Sequence, residues 1–363
     1  MGRIRVLELS GSPYEMGMKH GKTYHDEIHM FTEDRVELSQ NIDWTGRNLS
    51  REAVIALAEA CVAEHQAYAP DLMEELQGMA DATGLSLAEL VINNGFTDFM
   101  DVVYNVGDLT QQPVTPRYGS DNCTAFLVPN EKTADKQSFF GQTWDMHATA
   151  TPYVILIDGK PDNAPNFLTF TITGCVGMIG MNSEGITVGI NNLMSTDGQI
   201  GVTWPFVIRK ILQQDNLEDA LDCITSAKLA GAHNYMLMDK HGDGYEVEAM
   251  STSIHVEKLE HESIAHTNHC LIDENLAVAR PRTPEGQKGT EDRLDRAYEM
   301  LANGDLTVDD LIAITRDEQC ICTRPKPPMN VESCGAAIMR PATGDFWAVW
   351  GLPVENEYEH FHI

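Results

Sequence analysis

Apolar residues in the first third of the chain recur at the spacing of amphipathic helices. Ser50 precedes a run whose apolar positions fall on one helical face, namely Val54, Ile55, Leu57, Ala58, Cys61 and Val62. This pattern predicts a helix that starts at Ser50. A second helix is predicted over Asp71 to Ala82, and a third after Ser86, because Ser86 and Glu89 have the spacing of a capping box. The first third is therefore expected to form a packed helical layer.

From Thr124 onward the pattern changes to short β-rich runs separated by turn residues. Single strands are predicted at Thr124–Val128, Ser138–Thr143, Tyr153–Ile157, Phe167–Thr173 and Ile186–Ile190. Two antiparallel hairpins are predicted, from Tyr235–Met238 with Tyr245–Ala249 and from Ala336–Met339 with Phe346–Val349. Intervening helices are predicted at Trp204–Gln213, Leu217–Ala227 and Glu291–Leu301. Strand-rich sequence with segregated helices predicts an α+β fold with layers and an antiparallel sheet.

The net charge of the chain restricts which molecules it is expected to bind. The 363 residues include 25 Lys and Arg against 55 Asp and Glu, a net charge of −30. Such a surface repels phosphate backbones and anionic membranes, so neither nucleic acid nor a membrane is expected as a partner. The charge is compatible with a cationic substrate and also with a surface adapted only for solubility. We expect a cytoplasmic protein, since no signal peptide or membrane span is evident and the eight cysteines are best interpreted as thiols.

A turn-rich segment from about Asn105 to Ser120 leads to Cys123, which stands at the start of an apolar strand. If the Asn122–Cys123 bond were cut, Cys123 would carry both a thiol nucleophile and an α-amine that can act as its base. An unperturbed α-amine has a pKa of about 7.7–8.0, which suits a thiol with a pKa of about 8.5. The alternative is a small buried cysteine with no chemical role.

The next strand ends in Trp144-Asp145-Met146-His147. A hairpin with the strand that starts at Cys123 would bring Asp145 within hydrogen-bond reach of the new amine. His147 is a second candidate base, and a surface turn remains an alternative for Asp145.

Asparagine side chains are candidate donors to an oxyanion. Asn234, in His233-Asn234-Tyr235, begins a strand, while Asn182, Asn191 and Asn192 are alternatives. A turn-capping role is the simpler interpretation of any of them.

Metal and cofactor signals are weak. His266, His269 and Cys270 are suitable zinc ligands, but in an extended segment the two histidines would face opposite ways, so no metal is expected. Cys320-Ile321-Cys322 lacks the spacing of a redox motif. The nearby Arg324 could stabilise negative charge. Nucleotide-binding, zincin and α/β-hydrolase motifs do not occur in a fitting context, and no cofactor is expected.

Several stretches together resemble the acyl-coenzyme A:6-aminopenicillanic acid acyltransferase family, also called the isopenicillin N acyltransferase family, of N-terminal-nucleophile (Ntn) hydrolases. The stretches are Gly11–Gly17 with His20-Gly21, Glu74–Ala80 through Asn94, Asn122–Ala125, Gly141–Asp145, Asn234-Tyr235 and His266–His269.

The resemblance implies a four-layer αββα fold and autocatalytic cleavage of the Asn122–Cys123 bond. It implies that Cys123 is the nucleophile and that Asp145 orients its amine. Asn234 with a backbone N–H would hold the oxyanion, and an arginine, assigned here to Arg324, would complete the site. Residues 1–122 and 123–363 would remain one Ntn-hydrolase domain, associated as a heterodimer that could oligomerise further. We also expect Trp144, His147, His233 and Tyr235 to contact the substrate.

The chain departs from the family pattern at three places. Thr143 stands where the family commonly has Asn, and Asn94–Asp98 lacks the arginine usual in that motif. A gap-free alignment places Thr323 at the family arginine, so Arg324 is displaced by one residue.

The function expected first is hydrolysis of a linear C–N amide bond in a small N-acyl substrate, through a Cys123 thioester. The alternative is acyl transfer from an acyl-CoA or an amide to an amine, which uses the same nucleophile and oxyanion site. Hydrolysis is favoured because the chain is acidic and has no evident basic cluster for a CoA phosphate tail. A non-catalytic or metal-binding protein is a remote alternative.

Overall fold

The computed structural model describes residues 3–114 and 122–363. Its helices are α1 Pro13–Thr23, α2 His25–Gln40, α3 Ile42–Thr45, α4 Arg51–Tyr68, α5 Pro70–Thr83, α6 Leu87–Asn93, α7 Phe96–Val106, α8 Trp204–Ile211, α9 Leu217–Thr225, α10 Asp273–Leu276, α11 Pro284–Leu301 and α12 Val308–Thr315. Its strands are β1 Arg5–Gly11, β2 Thr124–Val128, β3 Phe139–His147, β4 Val154–Pro161, β5 Phe167–Ile172, β6 Ile179–Asn182, β7 Thr187–Leu193, β8 Ala232–Met238, β9 Gly244–Ala249, β10 Ile254–Lys258, β11 Ile264–His266, β12 Val331–Arg340, β13 Asp345–Trp350 and β14 Glu359–His362. The end of the predicted loop before Cys123 lies outside the described residues.

The predicted helix starts are confirmed where a cap defines them. The Ser50 side chain accepts a hydrogen bond from the Ala53 N–H at the start of α4. Both bonds of the Ser86 and Glu89 capping box are present at α6. These signals are local, so the sequence alone was enough to place them.

Two expectations in the helical regions were wrong. Strand β1 lies in the first third, where only helices were expected, and its alternating burial is the period of a strand. Helix α11 begins at Pro284, capped by Thr283, and not at Glu291. Gly286 and Gly289 lie in its first turns, and glycine weakens a helical pattern in sequence.

The strands form two sheets. One has eight strands in the order β1-β4-β5-β6-β7-β8-β9-β10, and the other has six in the order β11-β2-β3-β12-β13-β14. Both predicted hairpins, β8 with β9 and β12 with β13, are antiparallel. Strand β1 is the exception to the antiparallel prediction, since it pairs parallel with β4.

The sheets pack against each other through β2 and β3 on one side and β7 and β8 on the other. Helices α8 and α9 pack on the first sheet, and α11 and α12 pack on the second. The order is helix, sheet, sheet, helix, so the predicted four-layer α+β fold is confirmed. None of the helices among the described residues combines the length and the apolar character needed to cross a membrane.

Candidate active site

Cys123 immediately precedes β2 and is 3% exposed. Strands β2 and β3 are antiparallel neighbours, with Thr124 opposite Thr143. This register brings Asp145 beside Cys123. The Cys123 Sγ lies 3.4 Å from the Asp145 N–H nitrogen and 3.7 Å from the Asp145 carbonyl oxygen.

The Asp145 carboxyl is fully buried. Burial raises its pKa to about 7, although the hydroxyls of Ser333, Thr323 and Thr143 and the charge of Arg293 act in the opposite direction. Neither carboxylate oxygen makes a hydrogen bond of ordinary geometry with the residues that the structure describes. A buried acid without strong partners is poised to bind a cationic or proton-donating group, such as a new α-amine.

Ser333 reaches Asp145 because β12 pairs with β3 and places the two residues opposite each other. The register shifts between Ser333 and Gly335, which marks a bulge at this point. The Ser333 Oγ in turn accepts a hydrogen bond from the Thr323 N–H at 2.9 Å. The stretch that contains Cys320 and Cys322 thus approaches the site through Thr323.

Arg293 of α11 contributes the cation nearest to the Asn122–Cys123 bond among the described residues. Its Nη1 donates to the carbonyl oxygens of Asn122, at 2.5 Å, and Cys123, at 2.6 Å. Its Nη2 donates to Asn268 Oδ1 at 3.0 Å, and the Asn268 amide donates to the Asn192 carbonyl at 3.0 Å. The guanidinium is therefore fixed against the carbonyl of the bond that would be cut.

Sequence reasoning missed Arg293. One signal was present: it shares a helical face with Thr290, Ala297 and Leu301, all of which are buried. A cation on a buried helical face needs a partner inside the protein.

Arg324 lines a surface pocket that Asn122 also lines, but its side chain is turned to other partners. Arg324 is exposed and forms ion pairs with Glu318, at 3.0 Å, and with Glu355. No hydrogen bond joins it to Asp145 or Cys123 among the described contacts.

Asn234 lies in a polar cluster between the sheets. Its Nδ2 donates to Asn191 Oδ1 at 3.3 Å. With the amide oxygen and nitrogen exchanged, the nitrogen would instead donate to Glu246 Oε1 at 2.5 Å and to the Val247 carbonyl at 3.2 Å. Asn192, on the neighbouring strand, lines the cavity beside Cys123. Both asparagines remain candidates for the oxyanion donor.

Glu246 and Glu248 converge on His266 in the same cluster. His266 Nε2 contacts Glu248 Oε1 at 3.0 Å, while its Nδ1–H donates to the Thr267 carbonyl. Burial disfavours the charged imidazole, but the hydrogen bond to Glu248 and the fields of both carboxylates outweigh this and raise the pKa of His266. The cluster of Glu246, Glu248 and His266 is therefore explained by an internal ion pair.

The three residues of the weak zinc signal do not converge. His266 faces Glu248, whereas His269 contacts Thr290 and the Cys270 thiol contacts Met250.

The four residues expected to contact substrate lie in different places. Trp144 lines the cavity beside Cys123. His233 contacts Thr97 Oγ1 at 3.0 Å, and burial lowers its pKa to about 3, so it is neutral. Tyr235 is buried, and its hydroxyl has no hydrogen-bond partner among the described residues. His147 is half-buried and bonds to Thr149 Oγ1 at 2.8 Å.

The cavity beside Cys123 is enclosed mainly by apolar side chains. Its walls include Phe31, Phe96, Trp144, Met146, Ile172, Met178, Ile190 and Trp204. Its volume, about 30 Å³, is small beside the roughly 300–1,000 Å³ of ordinary ligand pockets. The cavity beside the thiol is therefore narrow in the uncut chain.

The sequence model of the family described as Acyl-coenzyme A:6-aminopenicillanic acid acyl-transferase matches residues 132–353, more than half of the chain. The chain belongs to this acyltransferase family. The matched range contains Asp145, Asn234 and Arg293 but begins after Cys123, so the nucleophile is argued from the geometry of the site.

Two other proteins are similar to this chain in sequence, both at low identity. An uncharacterized protein of Archaeoglobus fulgidus is 24% identical over 260 residues, which are 65% of this chain and 41% of that protein. The chain thus spans less than half of that relative's length. The acyl-coenzyme A:6-aminopenicillanic-acid-acyltransferase 40 kDa form of Emericella nidulans is 23% identical over 269 residues, which are 74% of this chain and 70% of that protein.

Among solved structures, a mutant of conjugated bile acid hydrolase from Clostridium perfringens is similar, with 14% identity and a TM-score of 0.46. The match covers 66% of this chain and 97% of that chain.

Proposed function

We propose that this acyltransferase-family protein is a self-processing N-terminal-cysteine amidohydrolase that cleaves a linear amide bond of a small N-acyl substrate. One observation carries the proposal. The Arg293 guanidinium donates to the Asn122 carbonyl oxygen at 2.5 Å, on the bond whose cleavage would create an N-terminal Cys123.

The proposed self-cleavage uses the Cys123 thiol and the Arg293 guanidinium, which already contacts the Asn122 carbonyl oxygen. The Cys123 Sγ attacks the Asn122 carbonyl carbon, and the charge that develops on the oxygen is stabilised by Arg293. The thiol proton passes to the amide nitrogen, the C–N bond breaks, the nitrogen leaves as the Cys123 α-amine, and Asn122 is held as a thioester on Sγ. Water hydrolyses the thioester, which gives an Asn122 carboxylate and a free thiol.

The same groups support turnover of a substrate. The α-amine would act as the base for the thiol, and the buried carboxyl of Asp145, the residue that contacts Cys123 Sγ through its backbone, would orient that amine. Asn234 or Asn192 would supply the side-chain donor to the substrate oxyanion, with Arg293 in the arginine role first assigned to Arg324. The eight cysteines, present as thiols, support a reducing compartment such as the cytoplasm.

The first test is the intact mass of the purified protein under denaturing conditions. Two species, one beginning at Cys123, are expected, and Cys123→Ala should give only the 40.2 kDa chain. A Cys123→Ala protein that is cut and active would refute the mechanism.

Acyl transfer is the second candidate, favoured by the family's description and by the name of the Emericella nidulans relative. Hydroxylamine added during turnover captures the shared thioester as a hydroxamate in either case, so the two functions are separated by the need for an amine acceptor. Rapid product formation without any added amine supports the hydrolase, whereas product that forms only with an amine acceptor supports the transferase.

A further inference from the structure

The cavity beside Cys123 contains two polar side chains that the proposed reaction does not use. They are Arg35 of α2 and Asn93 of α6. A third polar residue of the wall, Thr97, is already bonded to His233 and to the Trp204 indole N–H.

Arg35 is 2% exposed and rigidly held. Its guanidinium lies 4.5 Å from the ring centroid of Phe31 and 5.1 Å from that of Phe96. Its Nε donates to Asp34 Oδ2 at 3.0 Å and its Nη2 to Thr149 Oγ1 at 2.9 Å. These contacts leave Nη1 without a hydrogen bond to the described residues.

Asn93 is 3% exposed, and its Oδ1 has no partner among the residues that the structure describes. Its Nδ2 donates to Thr32 Oγ1 at 2.8 Å, which fixes the orientation of the amide. Thr32 and Arg35 are three residues apart on α2 and therefore share a helical face. An acceptor and a donor on two buried residues, neither bonded to another described residue, thus line one cavity whose wall is mostly apolar.

We propose that Arg35 and Asn93 form a subsite for a hydroxyl group on an apolar, aromatic acyl group. The Arg35 Nη1–H donates to the hydroxyl oxygen, and the hydroxyl donates to Asn93 Oδ1. A hydroxyl fits better than a carboxylate, because Asp34 already neutralises Arg35 and Asn93 Oδ1 only accepts hydrogen bonds. This inference rests on the proposed amidase function.

The cavity must widen before such a group enters, since it now holds about 30 Å³. Met146 and Met178 line it, and their unbranched side chains adjust more readily than the aromatic walls. Arg35 instead packs on the rings of Phe31 and Phe96. The subsite is therefore expected to stay rigid while the methionine side of the cavity adjusts.

The test uses processed wild-type protein and amides of phenylacetic acid with one chromogenic amine. The 4-hydroxy and 3-hydroxy compounds are compared with the unsubstituted and methoxy compounds. We expect one hydroxy compound to exceed its parent in kcat/KM by at least about tenfold, because buried groups left unpaired penalise the analogue that lacks the hydroxyl. The methoxy compound should not recover this gain, since it cannot donate to Asn93.

Asn93→Leu and Arg35→Met should reduce this ratio to about 1, whereas Met178→Leu, in the apolar wall, should alter both substrates alike. Intact mass verifies that each variant has processed and therefore folded. Calorimetric binding of the free acids, which carry no amide bond, gives the same comparison without turnover. Equal values for hydroxy and parent compounds in wild type, or a ratio that persists in processed Asn93→Leu, would overturn the subsite. An uncut, inactive wild-type protein would instead count against the proposed function.

Discussion

At the scale of single residues, Arg293 connects the two carbonyls around Cys123 with the far sheet. It reaches Asn122 and Cys123 directly, and it reaches the Asn192 carbonyl through Asn268. Arg324, at 47% side-chain exposure, satisfies two surface glutamates. The contrast lets the two arginines be tested against each other.

We expect Arg293→Met to slow self-cleavage by about 100-fold or more, which is typical of the loss of an oxyanion donor. Arg324→Met removes only solvent-exposed ion pairs and should leave the rate within about threefold. Freshly translated protein sampled over time by intact mass measures both. Equal slowing of the two variants would remove Arg293 from its proposed role.

The raised pKa of Asp145 predicts how its charge affects stability. The folded pKa of about 7 exceeds the model value of 3.8, so the native state keeps this proton to higher pH. The stability from this carboxyl is therefore full below about pH 4 and is lost as the pH rises to about 7. In a Cys123→Ala background, Asp145→Asn should become relatively more stabilising from pH 4 to pH 8, by about 4 kcal/mol at most.

Urea unfolding at several pH values measures this difference. Asp345→Asn is the matched control, because burial disfavours the Asp345 charge but Thr343, His360 and Arg340 lower its pKa overall. Its effect should have the opposite sign, since Asp345 loses its favourable contribution as the pH falls. A pH-independent effect of Asp145→Asn would show that its carboxyl titrates normally.

The residues of the candidate site differ in how far sequence predicted them. Cys123 and Asp145 were found because a short hairpin brings them together, and a hairpin is a local signal. Arg293 depends on where α11 meets β2, which is a contact between distant parts of the chain. No periodicity in the sequence encodes that distance, and the family alignment directed attention to Arg324 instead.

At the scale of elements, α1 and α5 cross at a pair of glycines. A Cβ added at Gly17 would lie 1.8 Å from the Glu75 carbonyl oxygen, and one at Gly78 would lie 2.2 Å from the Tyr14 carbonyl oxygen. Both obstacles are backbone atoms, so the helices themselves must separate to admit a methyl group. The capped starts of α4 and α6 were predictable, because each cap lies within a few residues of its helix. The close crossing of α1 and α5 was not, because it is a contact between two helices that are separate in sequence.

Gly17→Ala should destabilise the fold by about 1–3 kcal/mol or more, as overpacking does. Gly289→Ala in α11 is the control, because nothing lies within 4 Å of the added Cβ. That change should stabilise by about 0.5–1 kcal/mol through helix propensity. Thermal unfolding of both variants checks the signs, and a neutral Gly17→Ala would mean that α1 and α5 pack less closely than described.

At the scale of the whole molecule, the proposed cut separates β1 from the strand with which it pairs. Residues 5–11 pair with residues 155–161, and Arg280 donates to the carbonyls of Thr45 and Met100. An antiparallel sheet with helical layers could be predicted from strand-rich patterning, and the four-layer order from the family resemblance. The parallel placement of β1 beside β4 could not be predicted, because the partners are far apart in sequence.

We therefore expect the two fragments to stay together after cleavage. Native size-exclusion chromatography should give one particle that contains both, and only denaturant should separate them. Fragments that elute apart in native buffer would contradict this expectation. Uncut Cys123→Ala protein is the size standard for the comparison.

The narrow cavity around Cys123 has a consequence for how the amount of active protein in a cell would be measured. An intact chain holds its thiol 3% exposed, beside a space of about 30 Å³. Under the proposed maturation, newly synthesised chains are inactive precursors, and each gains activity only when it is cut. Total polypeptide then overstates catalytic capacity, and the informative proteomic quantity is the abundance of the peptide whose first residue is Cys123.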